Sequence, residues 1–262
     1  MEIAFDAIGI EFSNRTAFNA LAEDVGVRGE ISRLTRKSGV LHGRCLKLGE
    51  GLEIWNVFYE SGTTGEVFAN CRPGFRARYA QEISPWILTE FDEEGEAVIH
   101  GFIEGSETEV LFELQNLTEV GTGVLEQKTL KVGLCGLAHR AEISQKEERL
   151  FWQSYDETAL NIIAEENIWS LCGRVLAFDE IRNPLSGSEI YWIYLDTGGL
   201  KLEVLAGKRK IKGAKLKVGS FLKAEVWLQG HILNKFDLRS TYEGVDLSFQ
   251  TIDFWKKFKR LN

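Results

Sequence analysis

Asn167-Ile168-Trp169-Ser170-Leu171-Cys172-Gly173-Arg174-Val175 opens the stretch that decides the fold, and Trp227-Leu228-Gln229-Gly230-His231-Ile232-Leu233 closes it. Trp169 to Phe178 is apolar and β-prone, with Gly173 inside, and a glycine in a strand interior often marks a bulge or a sharp coil. Asn183-Pro184-Leu185-Ser186-Gly187 is loop chemistry. Glu189 to Asp196 is rich in aromatic and β-branched residues and reads as a strand. Thr197-Gly198-Gly199 supplies a tight hairpin turn. Leu200 to Leu205 then alternates, with Leu200, Leu202 and Val204 on one face and Lys201 and Glu203 on the other. Phe221 to Gln229 alternates as well.

A long strand, a loop, a hairpin, a connector and a further strand follow the order and size of an OB-fold, a small five-stranded, partly open barrel. The fifth strand is expected from residues 231–249. OB-folds bind ligands on the face of their second and third strands and in their loops. Here that face would carry Trp192, Tyr194 and Lys201, followed by a connector with Lys208, Arg209, Lys210, Lys212, Lys215 and Lys217. Aromatic rings stack bases and cations hold phosphates, so single-stranded nucleic acid is one expected ligand. The alternative buries Trp192 and Tyr194 under the N-terminal part and leaves the lysines to keep an edge soluble.

Upstream, strand patterns dominate. Ile3 to Phe12 reads as a strand, and Ser13 or Asn14 caps a short helix carrying Phe18, Leu21 and Val25 on one side. Strands are expected over 29–34, 40–48, 52–59, 66–71, 86–91, 97–104, 109–117 and 125–137. Ser144-Gln145-Lys146-Glu147 is a capping box, and a helix is expected from there to Glu166. The chain is thus read as an α+β protein of two parts. Residues 1–143 form a strand-rich α+β domain with few helices, 144–166 a linking helix, and 167–262 an OB-like β-barrel. A basic amphipathic helix is expected over 251–261, which packs on its own domain or meets a partner or a membrane surface.

Charge divides along the same line. Residues 1–150 hold 15 Lys and Arg against 25 Asp and Glu, a net of −10, whereas residues 167–262 hold 16 against 10, a net of +6. The first part repels nucleic acid at long range, and only the second attracts it. No apolar run approaches the ~18 residues of a membrane span. The acidic start, Met1-Glu2-Ile3-Ala4-Phe5-Asp6, lacks the pattern of a secretory signal. The four cysteines form no Cys-x-x-Cys pair, so neither a disulfide framework nor a zinc ribbon is suggested. A reducing, cytoplasmic setting is expected.

Candidate chemistry is sparse. Val40-Leu41-His42-Gly43 returns as Val98-Ile99-His100-Gly101. If this is a duplication, His42 and His100 with Glu53 and Glu113 would make a two-His, two-Glu metal site of the glyoxalase-like kind, and the chain a metal-dependent enzyme. Two similar strands arising by chance explain the same residues. Cys135 and His139 are spaced as a nucleophile and base can be, but no third residue orients them. Nucleophile-elbow, Walker and Rossmann patterns do not occur. No catalytic residue and no cofactor is assigned, and a non-catalytic binding or adapter protein with a protein partner is the leading expectation.

Asp6-Ala7-Ile8-Gly9, Gly51-Leu52-Glu53-Ile54-Trp55, Phe112-Glu113-Leu114-Gln115-Asn116, Asn183-Pro184-Leu185-Ser186-Gly187 and Trp227-Leu228-Gln229-Gly230 together resemble an uncharacterised bacterial family, found mainly in Firmicutes. The resemblance covers nearly the whole chain up to about Asn234. It implies a cytoplasmic, two-part protein, and it carries no catalytic roles.

Overall fold

The computed structural model describes residues 2–60, 65–91, 94–154 and 168–233. The chain divides into Met1–Ile232 and Leu233–Asn262, and the first unit holds every element named below. The expected helix over 251–261 and the expected fifth strand beyond Leu233 lie outside the described residues.

The fold is strand-rich α+β. Helix among the described residues is confined to α1 (Glu2–Phe5), α2 (Arg15–Arg28), α3 (Thr122–Leu125) and short 3-10 turns. The N-terminus corrects the first expectation. Ile3–Phe12 is not a strand, because Phe5 and Ile8 are buried at helical spacing on α1 and the 3-10 turn Asp6–Ile8 that follows it. Phe5, Phe12 and Phe18 then meet edge to face, with centroids 5.0–6.1 Å apart. Asn14 caps α2 as expected, its Oδ1 accepting the Ala17 amide at 3.0 Å.

Strands β1 (Glu30–Thr35), β2 (Val40–Gly49), β3 (Leu52–Glu60) and β4 (Val67–Phe75) form an antiparallel sheet in sequence order. The other strands are β5 (Gln81–Phe91), β6 (Glu96–Ile103), β7 (Glu109–Leu114), β8 (Leu130–Ser144), β9 (Phe151–Ser154), β10 (Ile168–Arg182), β11 (Glu189–Asp196), β12 (Lys201–Gly207), β13 (Ile211–Gly213) and β14 (Phe221–Ile232). They make one ten-stranded sheet that closes on itself twice.

The first ring runs β8-β5-β6-β7-β14 and back to β8. The second runs β10-β11-β12-β8-β14 and back to β10. Each ring holds one parallel pair, β7 with β14 in the first and β12 with β8 in the second. The antiparallel β8–β14 ribbon, in register from Ser144–Phe221 to Val132–Ile232, belongs to both.

This ribbon explains the sequence of β8. Leu130–Ser144 has a middle with no polar alternation, and Gly133 to Ala138 are all buried, as expected of a strand covered on both faces. Glycine is required where the ribbon is tightest, since a Cβ on Gly230 would lie 2.2 Å from the Phe112 ring. Ile99, Phe112 and Val132 of the first ring and Ile193, Val204 and Val226 of the second belong to one continuous core, which Leu34, Leu41 and Val57 of the four-stranded sheet join.

Two further expectations meet the structure here. Among the described residues the ring built on β10, β11, β12 and β14 is closed by β8, from upstream; of the expected strand over 231–249, residues 231 and 232 end β14 and 234–249 lie outside the described residues. The boundary at 143/144 therefore falls inside a sheet shared by both halves. Nor does Ser144 start a helix. It ends β8, its Oγ accepts the Lys146 amide, and Phe151–Ser154 is a strand paired with β10. The capping-box pattern therefore does not start a helix, and Phe151 and Trp152 pair with Cys172 and Leu171 at the β10 edge. Residues 155–167 lie outside the described residues.

Candidate functional site

A row of four residues crosses the middle of the large sheet. Glu203 on β12 pairs with Cys135 on β8, Cys135 with Gln229 on β14, and Gln229 with Glu113 on β7. Partners in register put their side chains on one face. All four are at most 5% exposed. Three are polar, and polar groups so deep must be satisfied.

The end of β4 and its link to β5, residues 72–80, do this as a strap. Arg72 holds Glu113 at 2.5 Å and reaches the Leu114 and Gln115 carbonyls at 3.4 Å. Pro73 accepts from the Gln229 amide at 2.9 Å. The Tyr79 amide donates to Glu203 at 2.7 Å. Arg76 holds Glu53 at 2.8 Å, and Glu53 also accepts from Trp55 at 3.0 Å and Gln115 at 2.9 Å.

Burial governs the titration of these groups. It pushes Glu203 up to about 7 against the hydrogen bonds from Trp192 and the strap amides. It lifts Glu113 above the ordinary range, and the Arg72 guanidinium pulls it back down. It raises the Cys135 thiol well above its usual value, which makes it a poor nucleophile, and holds His231 neutral.

The six residues expected to bind a ligand separate into two groups. Trp192 and Tyr194 lie on the outer face of β11, but the strap covers them. Trp192 is 2% exposed, with the Arg78 guanidinium 4.3 Å over its ring and its Nε1–H donated to Glu203. Tyr79 stacks on Tyr194 with centroids 4.3 Å apart. Trp192 is thus buried and Tyr194 half-buried. Lys201 is exposed at the hairpin end of β12.

Lys208, Arg209 and Lys210 lie together on a 3-10 turn after β12 and line a cavity of about 670 Å³. Asp6, Glu11 and Arg182 line the same cavity, as does the loop Ser186–Ser188. Lys208 is tied to Glu180 and Glu189 at 3.0 and 3.1 Å, and Lys210 to Asp6 at 3.0 Å.

The four candidate metal ligands are not brought together. His42 meets Glu60 at 2.9 Å and Glu66 at 3.4 Å on the four-stranded sheet. His100 meets Glu109 and lies beside Trp86. Glu53 and Glu113 are consumed by Arg76 and Arg72. Among the described residues no group of three or more His, Cys, Asp or Glu is placed to hold a metal ion. Cys135 is buried in the central row, and His139 faces a different cavity.

What the sequence did not single out is the outer face of the first ring. Trp86 is 67% exposed, Ile87 45% and Leu88 37%, in three consecutive residues of β5. Trp86 is the extra residue of a bulge between Pro85 and Ile87, and it lies 5.3 Å from His100 and 6.2 Å from Phe102 on β6. β5 pairs with β8 only through Gln81–Ile83. Among the described residues its stretch from Ser84 to Phe91 has a neighbour on one side alone, β6. Glu82, Glu90, Glu104 and Glu109 lie on or beside these strands, with Lys131 in register opposite Glu82 and Arg36 paired with Glu90 at 2.5 Å. Pro85-Trp86-Ile87-Leu88 was visible in the sequence, but an apolar strand looks the same whether it is central or at an edge.

No helix among the described residues is long and apolar enough to cross a membrane. Compared with protein-family models, curated proteins and solved structures, the chain matches none.

Proposed function

We propose that the protein is a non-catalytic binding protein, and that it takes up an extended, basic segment of a protein partner along the open edge of β5. The observation that carries this reading is the run Trp86-Ile87-Leu88, exposed on a strand whose outer edge is unpaired among the described residues. An open edge offers backbone amides and carbonyls to an added strand, and exposed apolar side chains beside it supply anchoring pockets. Aromatic residues dominate such contacts, and Trp most of all. The half of the chain that carries this edge has a net charge of −10, which favours a cationic partner.

The test is capture of partners from the cell of origin by the full chain and by Trp86→Asp, with thermal melting to show that the variant is folded. A partner held by the wild type through a Lys- or Arg-rich segment and lost by the variant supports the reading. Partners common to both proteins, or no partner at all, overturn it.

The second ring supports a second reading. Its strand order and its parallel β12–β8 pair support an OB-like reading in which the fifth strand comes from upstream. Single-stranded nucleic acid would be the ligand of such a barrel. The face of β11 and β12 that would stack bases is the one the strap fills, so any such contact falls on the loops and the Lys208–Lys210 turn.

A further inference from the structure

The cavity beside that turn has a built frame and lies away from β5. One wall is the loop after β10. Asn183, fully buried, donates to the Ile8 carbonyl at 2.6 Å and accepts the Leu185 and Ser186 amides at 2.8 and 3.2 Å. This pins the loop to the N-terminal turn and sets Ser186 and Arg182 at the opening. The other wall is the Lys208–Lys210 turn, whose two lysines are fixed by carboxylates.

The arginines differ from the lysines. Arg182 and Arg209 are both exposed, and among the described residues neither is paired with a carboxylate. Arg182 donates Nε–H to the Gly187 carbonyl at 3.2 Å, which leaves its terminal amino groups to the cavity. A planar guanidinium without a carboxylate partner at a cavity suits a phosphate, which it meets with two parallel hydrogen bonds. At about 670 Å³ the space falls within the range of ligand sites.

A second cavity of about 550 Å³ shares Arg209 and Lys210 with the first and adds Arg140, Lys212 and Lys223. Phe151 and His139 add aromatic rings to its lining. The turn is thus a cationic divide between two adjoining hollows.

We propose that the two cavities on either side of Arg209 bind a ligand carrying more than one phosphate, with Arg182 and Arg209 as the phosphate-holding residues. Glu142, Glu189 and Glu225 in the walls limit the attraction to groups seated between the arginines and disfavour a diffuse polyanion on the surface. Phosphates of this kind come from a short single strand of nucleic acid or from a free nucleoside diphosphate.

The experiment uses the full chain. A labelled thymidine oligonucleotide of roughly ten residues, within the ~4–16 that an OB-type site covers, is titrated by fluorescence anisotropy at several salt concentrations. Adenosine diphosphate is titrated by calorimetry. Arg182→Ala with Arg209→Ala is the test variant, and Arg33→Ala, on the exposed side of β1, is the control. Binding of either probe that weakens about tenfold or more in the double variant and not in the control supports the site. For the oligonucleotide, the slope of log affinity against log salt should fall by roughly 0.7 for each arginine removed. Binding of the oligonucleotide alone identifies nucleic acid as the source, and equal binding of the diphosphate identifies a small ligand. The proposal is overturned if neither probe binds, or if the double variant binds as the wild type does.

Discussion

The outer faces of the two rings share an architecture and have opposite fates. Each ring has a meander of three strands followed by the common β8–β14 ribbon, and each carries one buried glutamate in the row that crosses the ribbon, Glu113 in the first and Glu203 in the second. On the second ring, Trp192 is sealed by Arg78 and Tyr79 of the strap. On the first, Trp86 stands open to solvent beside His100 and Phe102. An aromatic residue on the outside of such a strand is therefore buried or exposed according to what the rest of the chain lays over it. The same side-chain chemistry serves stability in one ring and, on the proposed function, recognition in the other.

Mutation separates the two fates most strongly at Trp192. Trp192→Ala removes a buried ring, the stacking partner of Arg78 and a donor to Glu203, and should cost about 3–5 kcal/mol in urea unfolding. A cost below about 1 kcal/mol would mean that the strap does not seal the face.

The Glu203 carboxyl gives the next largest effect, and its sign is fixed by its environment. Its folded pKa, about 7, lies above the ordinary value near 4.5, because burial penalises the charged form. Its contribution to stability is fully present below about pH 4.5 and is lost as the pH rises through about 7. At ~1.4 kcal/mol per pKa unit the decline is on the order of 3 kcal/mol. Glu203→Gln should be less stable at low pH, since its amide cannot accept from both Trp192 and Tyr79, and its decline over that window should be smaller than the wild type's, with the raised Glu113 carboxyl still contributing. A wild type whose stability is constant between pH 4.5 and 8 contradicts this account.

The smallest effect belongs to the open face. Trp86→Ala should change unfolding free energy by less than about 0.5 kcal/mol, as for other exposed positions. A loss of several kcal/mol would show that Trp86 is structural.

The comparison also shows what could be read from the sequence. The hairpin at Thr197-Gly198-Gly199, the strands on either side of it and the Asn14 cap were legible, because turn chemistry and alternation are local signals. The connector cations were legible as a cluster, and three of them do line one cavity. The upstream origin of the remaining strand was not, since Leu130–Ser144 pairs with a segment 77 to 100 residues away and no local pattern encodes that distance. The covering of Trp192 was hidden for the same reason. Arg78 and Tyr79 are unremarkable in sequence, and only the crossing of the strap makes them partners of β11. Ser144-Gln145-Lys146-Glu147 misled because a capping box stabilises a turn whether or not a helix continues from it.

Hydrogen–deuterium exchange on the full chain tests the contrast most directly. Amides of β11, β12 and the strap, residues 72–80, should exchange slowly and together, whereas those of Ser84 to Leu88 that point away from β6 should exchange within seconds. Equal protection of the two regions, or a strap that exchanges as fast as the β5 edge, would contradict the assignment of one face to the core and the other to recognition.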